Sequence, residues 1–243
     1  MNRNIILVVG ESKGGKTSSL RNLKDPKGVM YLNAESNKGL PFKNGSLFWN
    51  ITITDPYDIY DAFNAAEDEP DVHTIVLDTI TMSMDMFESI HVIPATDTQK
   101  MWGQYHQFFL NLMQEYVAKS SKRVIFLAHV DSILNEEKGI TETKVKVKGA
   151  LQARGVEAYF NVVIASKCLP IKKLSKVKND LFTLTDREEI VGYKYVFQTE
   201  RTKDTSGERI ACPFELFSLD ETFIDNDVEL VFKRINEFYI AEE

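Results

Sequence analysis

The feature that most constrains this chain is a glycine-rich loop directly after its first apolar run. Residues 5–9 are all apolar, and residues 10–17 read GESKGGKT, which matches G-x-x-x-x-G-K-[ST]. A continuous apolar run of this kind is typical of a strand buried on both faces of a parallel sheet. A helix is predicted at about 16–23, so the motif has the strand, loop and helix context of a phosphate-binding loop. The sequence therefore predicts an α/β fold of the P-loop NTPase class.

The residue types of the loop predict how it contacts a nucleotide. Glycines let backbone N–H groups turn inward around the phosphates, and the N-terminus of a following helix adds partial positive charge. The Lys16 ammonium is expected to reach the β- and γ-phosphates of ATP, and the Thr17 hydroxyl to ligate Mg²⁺. The predicted nucleotide-binding residues are Gly10, Glu11, Ser12, Lys13, Gly14, Gly15, Lys16, Thr17 and Ser18.

Predicted strands and helices alternate along the rest of the chain. Strands are predicted at 4–9, 29–33, 47–53, 74–77, 123–128, 158–165, 181–184 and 193–199, and further helices at 56–66, 100–119 and 227–239. Such alternation predicts a doubly wound, mainly parallel sheet, here with a β-rich C-terminal part. The polar segment 131–155 has no strong apolar period and is predicted to be a long loop. We expect one domain over residues 1–243, with its final helix at about 227–240.

Two carboxylates are predicted to end neighbouring parallel strands. Asp78 follows the apolar run 74–77, at the sheet edge where ligands bind in open α/β folds, and is the predicted Mg²⁺ carboxylate beside Thr17. Glu35 closes the second predicted strand, and a carboxylate there can orient water in line with the γ-phosphate. The alternative is that Glu35 is a capping or surface residue.

Several sequence signatures narrow the class of nucleotide-binding protein. The guanine-recognition pattern N-K-x-D is absent, since N-K at 37–38 is followed by G-L, which disfavours a GTPase. ParA/MinD-like ATPases have an extra lysine five residues before the main one. Here that position is Glu11, so this class is also disfavoured. Thr79 follows Asp78, so a water-activating base has to come from elsewhere, which favours Glu35.

The chain resembles the RecA/Rad51 recombinase superfamily, and in particular the small phage-encoded RecA-like ATPases that consist of the core alone. Residues 10–17 resemble the Walker A loop of that family, Ala34-Glu35 its catalytic-glutamate position, and residues 75–79 its Walker B strand. His129, after the predicted strand 123–128, falls at the position of a polar γ-phosphate sensor. The alternative for His129 is a strand-end histidine satisfied by backbone groups. The similarity covers about residues 4–217.

The same resemblance extends to the C-terminal part of the chain. Arg201 and Lys203, followed by residues 208–214, resemble a late strand pair that presents basic residues to the ATP of a neighbouring subunit. The predicted catalytic set is therefore Lys16, Glu35, His129, Arg201 and Lys203. The resemblance also implies a homo-oligomer with shared ATP sites and a single-strand-binding protein as a further partner.

A basic segment suggests a polyanionic partner. The formal net charge of the 243 residues is −7, yet residues 138–178 alone carry +8. Members of the resembled family bind DNA through the loops after the Walker B and sensor strands. Basic groups track phosphates, so single-stranded DNA is predicted to contact Lys144, Lys146, Lys148 and Arg154. Tyr159 and Phe160 are predicted to be core residues, although stacking on bases is an alternative. The basic segment would otherwise be a solvated surface.

The lengths of the apolar runs and the number of cysteines indicate in which cellular compartment the protein is expected. No run approaches the ~18 apolar residues that a membrane span needs, and the first run, 5–9, is too short for a signal peptide. The two cysteines, Cys168 and Cys212, are predicted to be reduced core thiols. We expect a cytoplasmic protein without a membrane partner, located in the bacterial host if the chain is phage-encoded.

Three functions remain open on the sequence. The first is a Mg²⁺-dependent ATPase that binds single-stranded DNA in recombination, strand annealing or replication. The second is an ATP-binding switch with little hydrolysis and a protein partner. The third is a hexameric helicase-type motor, because such helicases share the RecA-like core. Glu35 and the basic segment favour the first, whereas the overall negative charge favours the second.

Overall fold

A computed structural model describes residues 2–137 and 139–240, and in these residues nine strands form one sheet. The strands are β1 Ile5–Gly10, β2 Val29–Asn33, β3 Trp49–Thr52, β4 Thr74–Asp78, β5 Arg123–Asn135, β6 Ile140–Val145, β7 Val162–Pro170, β8 Tyr193–Gln198 and β9 Phe223–Asp225. Their spatial order is β3-β2-β4-β5-β1-β7-β8-β9, with β6 paired to β5. All pairs from β3 to β7 along this order are parallel, and the pairs with β6, β8 and β9 are antiparallel.

Helices cover both faces of the sheet. They are α1 Asp58–Asp68, α2 Ile80–Phe87, α3 Thr98–Asn111, α4 Gly149–Arg154, α5 Ile171–Leu174, α6 Asp186–Val191 and α7 Val228–Ile240. Side chains alternate along β1: Leu7 joins the core that contains α1, α2 and α3, whereas Ile6 and Val8 join the core that contains α7. This is the two-sided burial expected of a continuous apolar strand. The predicted doubly wound, mainly parallel sheet of the P-loop NTPase class is confirmed.

The predicted helix after the glycine-rich loop is wrong in type and length. The described segment there is a 3₁₀ helix of four residues, Thr17–Leu20. The Ser19 hydroxyl donates a hydrogen bond of 2.6 Å to the Lys16 carbonyl oxygen, and such local side-chain bonds compete with a regular helix. The chain then turns before Pro26. A helix dipole therefore contributes little here, and phosphate binding would depend on the loop N–H groups and Lys16.

Segment 131–155 is not a long loop. Strand β5 runs through Asn135 and pairs in antiparallel register with β6, and α4 follows. We call residues 129–137 and 139–148 the basic hairpin. The prediction failed because Thr and Lys alternate with few apolar residues, so one half-buried face was not recognised. The predicted strand at 181–184 is also wrong, since these residues are irregular up to Thr185.

Other predicted elements are placed correctly with shifted bounds. Helix α3 and the π-helical turn Leu112–Val117 occupy the predicted helix 100–119, and α7 occupies the predicted final helix. Strand β7 begins at Val162 rather than 158, and Tyr159 and Phe160 pack on Phe109 and Phe126 of the core. The prediction that both aromatic residues belong to the core is confirmed. Cys212 is half-buried, but Cys168 is exposed, so the prediction of two core thiols is wrong for Cys168.

Candidate nucleotide-binding site

Parallel pairing brings four predicted site residues to one edge of the sheet. In the register between β1 and β5, Gly10 lies opposite His129, and in the register between β2 and β4, Asn33 lies opposite Asp78. Glu35 follows β2 by two residues. The carboxyl ends of these strands therefore meet where Lys16 leaves the glycine-rich loop, which is the sheet edge at which open α/β folds bind their ligands.

A cavity of about 580 Å³ lies at this edge. Its lining residues include Lys16, Thr17, Glu35, Asp78 and His129, all of which the sequence predicted for one site. A second cavity of about 440 Å³ lies on the other side of the loop and shares Ser12, Lys13 and Gly14 with the first. The loop thus lies between two cavities, and of these two only the first is lined by Lys16, Glu35 and His129.

The Lys16 ammonium is held by the loop itself. It donates hydrogen bonds to the carbonyl oxygens of Gly10 at 3.0 Å and Glu11 at 2.8 Å, and it lies 3.2 Å from Nδ1 of His129. Burial lowers the pKa of Lys16 to about 8, against the opposing effect of Asp78 and Glu35. The cation is therefore desolvated before any ligand arrives, which strengthens its attraction to a phosphate.

His129 lies between Lys16 and Glu35. Its Nε2 is 3.4 Å from Glu35 Oε1, and its backbone N–H donates to the Thr81 hydroxyl at 3.0 Å. An ammonium can only donate and a carboxylate can only accept, so this arrangement favours the tautomer with its proton on Nε2. The alternative of a histidine ring satisfied by backbone groups is wrong, because both ring nitrogens face charged side chains.

Glu35 is a cavity residue rather than a surface glutamate, with a side chain that is 17% exposed. Its Oε2 lies 3.1 Å from the Lys38 ammonium, so both oxygens have a cationic or N–H partner. The hydrogen bond from His129 is the largest cause that lowers the pKa of Glu35 to about 2, and Lys38 acts in the same direction. In this arrangement Glu35 is ionised, and each of its two oxygens has a partner within the protein.

Asp78 is buried and has one oxygen free of protein partners. Its Oδ2 accepts hydrogen bonds from Thr17 Oγ1 at 2.8 Å and Tyr31 OH at 2.7 Å. Among the described side chains, its Oδ1 is a buried atom without a hydrogen-bond partner. Burial raises the pKa of Asp78, against the lowering effect of the two hydroxyl donors.

The oxygen donors of this site fit Mg²⁺. Mg²⁺ prefers one or two carboxylates together with phosphate oxygens and waters, and the unpartnered Asp78 Oδ1 is the kind of atom that such an ion satisfies. Thr17 and Asp78 would hold the ion, as the sequence predicted. Bound there, the ion would neutralise charge on the phosphates.

Sequence reasoning missed the residues that fix the loop from outside. The Ser166 hydroxyl donates to the Gly14 carbonyl oxygen at 2.8 Å, and Asn226 Nδ2 donates to Ser166 Oγ at 2.7 Å. A Cβ on Gly10 would lie 2.6 Å from the Ser166 carbonyl oxygen, which explains the glycine there. The position of Ser166, just past the predicted strand 158–165, was a signal for this site; Asn226 gave none.

Tyr31, Tyr195 and Lys38 also line the cavity without having been predicted. Tyr195, on β8, packs so closely that a Cβ on Gly15 would lie 2.8 Å from its ring. Tyr31 lies within a strand predicted for its apolar character, so its hydroxyl contact with Asp78 carried no sequence signal. In the sequence, Lys38 belongs to an incomplete guanine-recognition pattern, which does not predict a role in this site.

Arg201 and Lys203 do not lie on a strand. Strand β8 ends at Gln198, whose Nε2 donates to the Glu200 carbonyl oxygen and the Thr205 hydroxyl, so the chain turns away from the sheet. Segment 208–214 contributes only isolated bridges, Glu208 with Thr143 and Ala211 with Val163. The predicted late strand pair is therefore wrong, and Arg201 and Lys203 are exposed residues that are not among the described lining of the phosphate cavity.

The predicted DNA-binding residues lie on or beside the basic hairpin. Val145 and Val147 are buried, so Lys144, Lys146 and Lys148 alternate with core residues. The Lys148 ammonium contacts Glu88 and lies 3.7 Å from Asp85. Arg154 ends α4, with a guanidinium nitrogen 3.2 Å from His106 Nε2.

Fold and site together define a P-loop NTPase domain: a mainly parallel sheet, a glycine-rich loop after β1, and lysine, threonine and aspartate at its carboxyl edge. The chain belongs to the AAA domain family, whose model matches residues 2–204. No curated protein matches the chain. The family is one of P-loop ATPases, and the narrower resemblance to recombinases stays a prediction.

Over the described residues, no helix is both long enough and apolar enough to cross a membrane.

Proposed function

We propose that this chain is a Mg²⁺-dependent ATPase that binds single-stranded DNA and acts in phage-type recombination, strand annealing or replication. The observation that carries the ATPase part is the contact chain from Lys16 through His129 to Glu35, beside the Thr17–Asp78 pair. These groups supply a cation for the phosphates, a contact to the γ-phosphate, a carboxylate that orients water and two ligands for a metal ion. Phosphoryl transfer needs each of these parts.

The lining of the cavity supports a nucleoside triphosphate as the substrate. It includes the charged groups named above and the Tyr195 ring, which is 38% exposed and lies against Gly15. An aromatic face beside a phosphate loop suits a nucleobase. We propose that Lys16 binds the β- and γ-phosphates, that His129 contacts the γ-phosphate and that Glu35 orients the attacking water.

The basic hairpin supports the DNA part of the proposal. Strand β5 passes without interruption from the core, through His129, into the hairpin, and the Lys146 backbone N–H donates to the His129 carbonyl oxygen at 2.8 Å. A change at His129 on γ-phosphate release would therefore be passed to the basic residues of the hairpin. This connection suits a protein whose affinity for single-stranded DNA depends on the bound nucleotide.

The DNA proposal is tested by removing charge from the hairpin. Changing Lys144, Lys146 and Lys148 together to Ala should weaken binding to single-stranded DNA regardless of base sequence. Each lost phosphate contact should reduce the log–log salt slope by about 0.7. We expect a total reduction of about 1.5 to 2, because Lys148 is already paired with Glu88. Fluorescence anisotropy at several salt concentrations measures the slope, and ATPase rates with and without DNA measure the coupling.

A charge-matched control is available at the opposite edge of the sheet. Lys24 and Lys27 precede β2 and Lys119 precedes β5, and all three are exposed. Their triple Ala variant should leave the affinity and salt slope unchanged. If the hairpin variant binds single-stranded DNA like the wild type, the basic hairpin is not the DNA-binding surface. Both variants should still bind nucleotide.

A second candidate is an ATP-binding switch with a protein partner. The observation that favours it is that carboxylates already pair some charges of the basic stretch, namely Lys148 with Glu88 and Lys167 with Glu208. We propose, for the ATPase and for the switch alike, that Arg201 and Lys203 act on the ATP of a neighbouring subunit in a homo-oligomer. We also propose a single-strand-binding protein as a further partner.

The proposed metal site predicts a specific effect of Asp78→Asn. The variant should need a much higher Mg²⁺ concentration for nucleotide binding and hydrolysis, because an amide oxygen lacks the negative charge that Mg²⁺ prefers. Titration of nucleotide affinity with Mg²⁺ measures this shift. Tyr31→Phe is the matched control, since it removes the other hydroxyl bonded to Asp78 Oδ2 but leaves the carboxylate. An unaltered Mg²⁺ titration for Asp78→Asn would remove this residue from the metal site.

A further inference from the structure

The segment after β2 is a closed turn that places Lys38 over Glu35. Asn33, which is 1% exposed, accepts the Glu35 backbone N–H at 3.1 Å and donates from its amide to the Lys38 carbonyl oxygen at 3.0 Å. The Lys38 backbone N–H donates to the Glu35 carbonyl oxygen at 3.1 Å. Ser36 and Asn37 take the left-handed conformation between them, with φ of 53° and 57°.

The Lys38 side chain adds little to the stability of the fold. Its ammonium lies 3.1 Å from Glu35 Oε2, but the side chain is 73% exposed, and exposed ion pairs contribute only ~0–1 kcal/mol. Lys38 nevertheless lines the same cavity as Lys16, Thr17 and His129. Burial is the main cause of the lowered pKa of Lys16, and the charge of Lys38 acts in the same direction, so the two ammonium groups repel each other.

The contacts form a chain with a cation at each end. Lys16 contacts His129, His129 contacts Glu35, and Glu35 contacts Lys38. Each oxygen of Glu35 thereby has a cationic or N–H partner, and the Lys38 ammonium competes with a water molecule for Oε2. A multiply charged anion that entered between the two lysines would compete with Glu35 for Lys38.

We propose that Lys38 is a second cation for the γ-phosphate, and that the triphosphate releases Glu35 by drawing Lys38 away from it. This inference rests on the proposed ATPase function. No covalent bond changes in the step: the Lys38 ammonium exchanges one anionic oxygen for another, and Glu35 Oε2 becomes free to accept a hydrogen bond from the attacking water. A diphosphate lacks the group that Lys38 contacts, so it leaves the Glu35–Lys38 pair closed. Lys38 thus supplies a positive charge from within the chain, in addition to the charges proposed for Arg201 and Lys203 of a neighbouring subunit.

The test compares triphosphate and diphosphate binding in Lys38 variants. Lys38→Ala should lower the affinity for a non-hydrolysable ATP analogue by roughly 10-fold or more, since one hydrogen bond to a charged group is worth ~1.5 kcal/mol. ADP affinity should stay unchanged. Lys38→Arg should retain most of the triphosphate affinity, and Lys38→Gln should behave like Lys38→Ala. Lys43→Ala, which removes another exposed lysine from the next segment, is the control for general charge effects.

The outcomes separate this inference from the proposed function. Unchanged triphosphate affinity in both Lys38→Ala and Lys38→Gln, with normal binding by the wild type, would overturn the role of Lys38 and leave the ATPase proposal standing. Equal losses for the ATP analogue and ADP would also overturn it, because they place Lys38 away from the γ-phosphate. A wild-type protein that bound neither nucleotide would instead overturn the proposed function.

Discussion

Lys16→Ala is expected to abolish tight ATP binding. The Lys16 ammonium is the buried cation of the cavity, 5% exposed, and its three hydrogen-bond partners, two carbonyl oxygens and His129, can be exchanged for phosphate oxygens. Charge-assisted contacts are worth ~1.5–3 kcal/mol each, and Lys16 is expected to make more than one, so the affinity should fall by a factor of about 100 or more. Isothermal titration with ATP measures the loss.

The variant also removes a buried charge, so folding has to be monitored in parallel. Circular dichroism should show an unchanged spectrum, because Lys16 contacts the loop and His129 rather than the two hydrophobic cores. Lys43→Ala, at an exposed position, should bind ATP like the wild type. Wild-type ATP affinity in a folded Lys16→Ala protein would contradict the assignment of residues 10–17 as the phosphate loop.

Glu35→Gln is expected to keep ATP bound and to slow its hydrolysis by roughly 100-fold or more, the usual scale for a lost general base. Glutamine has the same shape and still accepts the hydrogen bond from His129 Nε2, so the cavity keeps its form. It cannot take the proton of an attacking water. Single-turnover hydrolysis of bound ATP isolates this step from nucleotide binding and product release.

The matched control for this experiment is another glutamate. Glu115→Gln neutralises a carboxylate on the outer side of the π-helical turn Leu112–Val117, where Glu115 pairs with Lys119 at the surface, and should hydrolyse ATP at the wild-type rate. Near wild-type single-turnover hydrolysis by Glu35→Gln would show that Glu35 is structural. The base would then have to lie elsewhere, since Thr79 directly after Asp78 cannot serve as one.

Local sequence patterns were sufficient for the loop and for the central strands. The motif at 10–17 requires a strand before it, and the apolar runs of β1, β2, β4 and β5 have the length and continuity of buried parallel strands. Once these strands are parallel, Glu35, Asp78 and His129 must end at the same edge. The structure places Lys16, Thr17, Glu35, Asp78 and His129 around one cavity, while their roles as site residues stay predictions.

Failures occurred where long-range contacts outweigh local preference. The basic hairpin was read as a loop because its strands have few apolar residues, yet Val145 and Val147 are buried and Glu157 accepts the Val145 backbone N–H at 2.7 Å. The predicted helix after the loop is too long, because a local Ser19–Lys16 hydrogen bond competes with a regular helix and the 3₁₀ turn Thr17–Leu20 packs on α7. The burial of the hairpin and the packing of the turn depend on partners more than ten residues away, which a local pattern does not report.

The sequence by itself determined the class of fold, the phosphate loop and the edge of the sheet at which the site lies, because strand direction and glycine placement are local properties of the chain. Only the tertiary structure decided which side chains share the site. Tyr31 reaches Asp78 across β2 and β4, Ser166 and Asn226 hold the loop from β7 and the segment after β9, and Lys38 folds back over Glu35. Such contacts depend on strand order and on where loops turn, and these are set by packing between distant segments rather than by the spacing of residues along the chain.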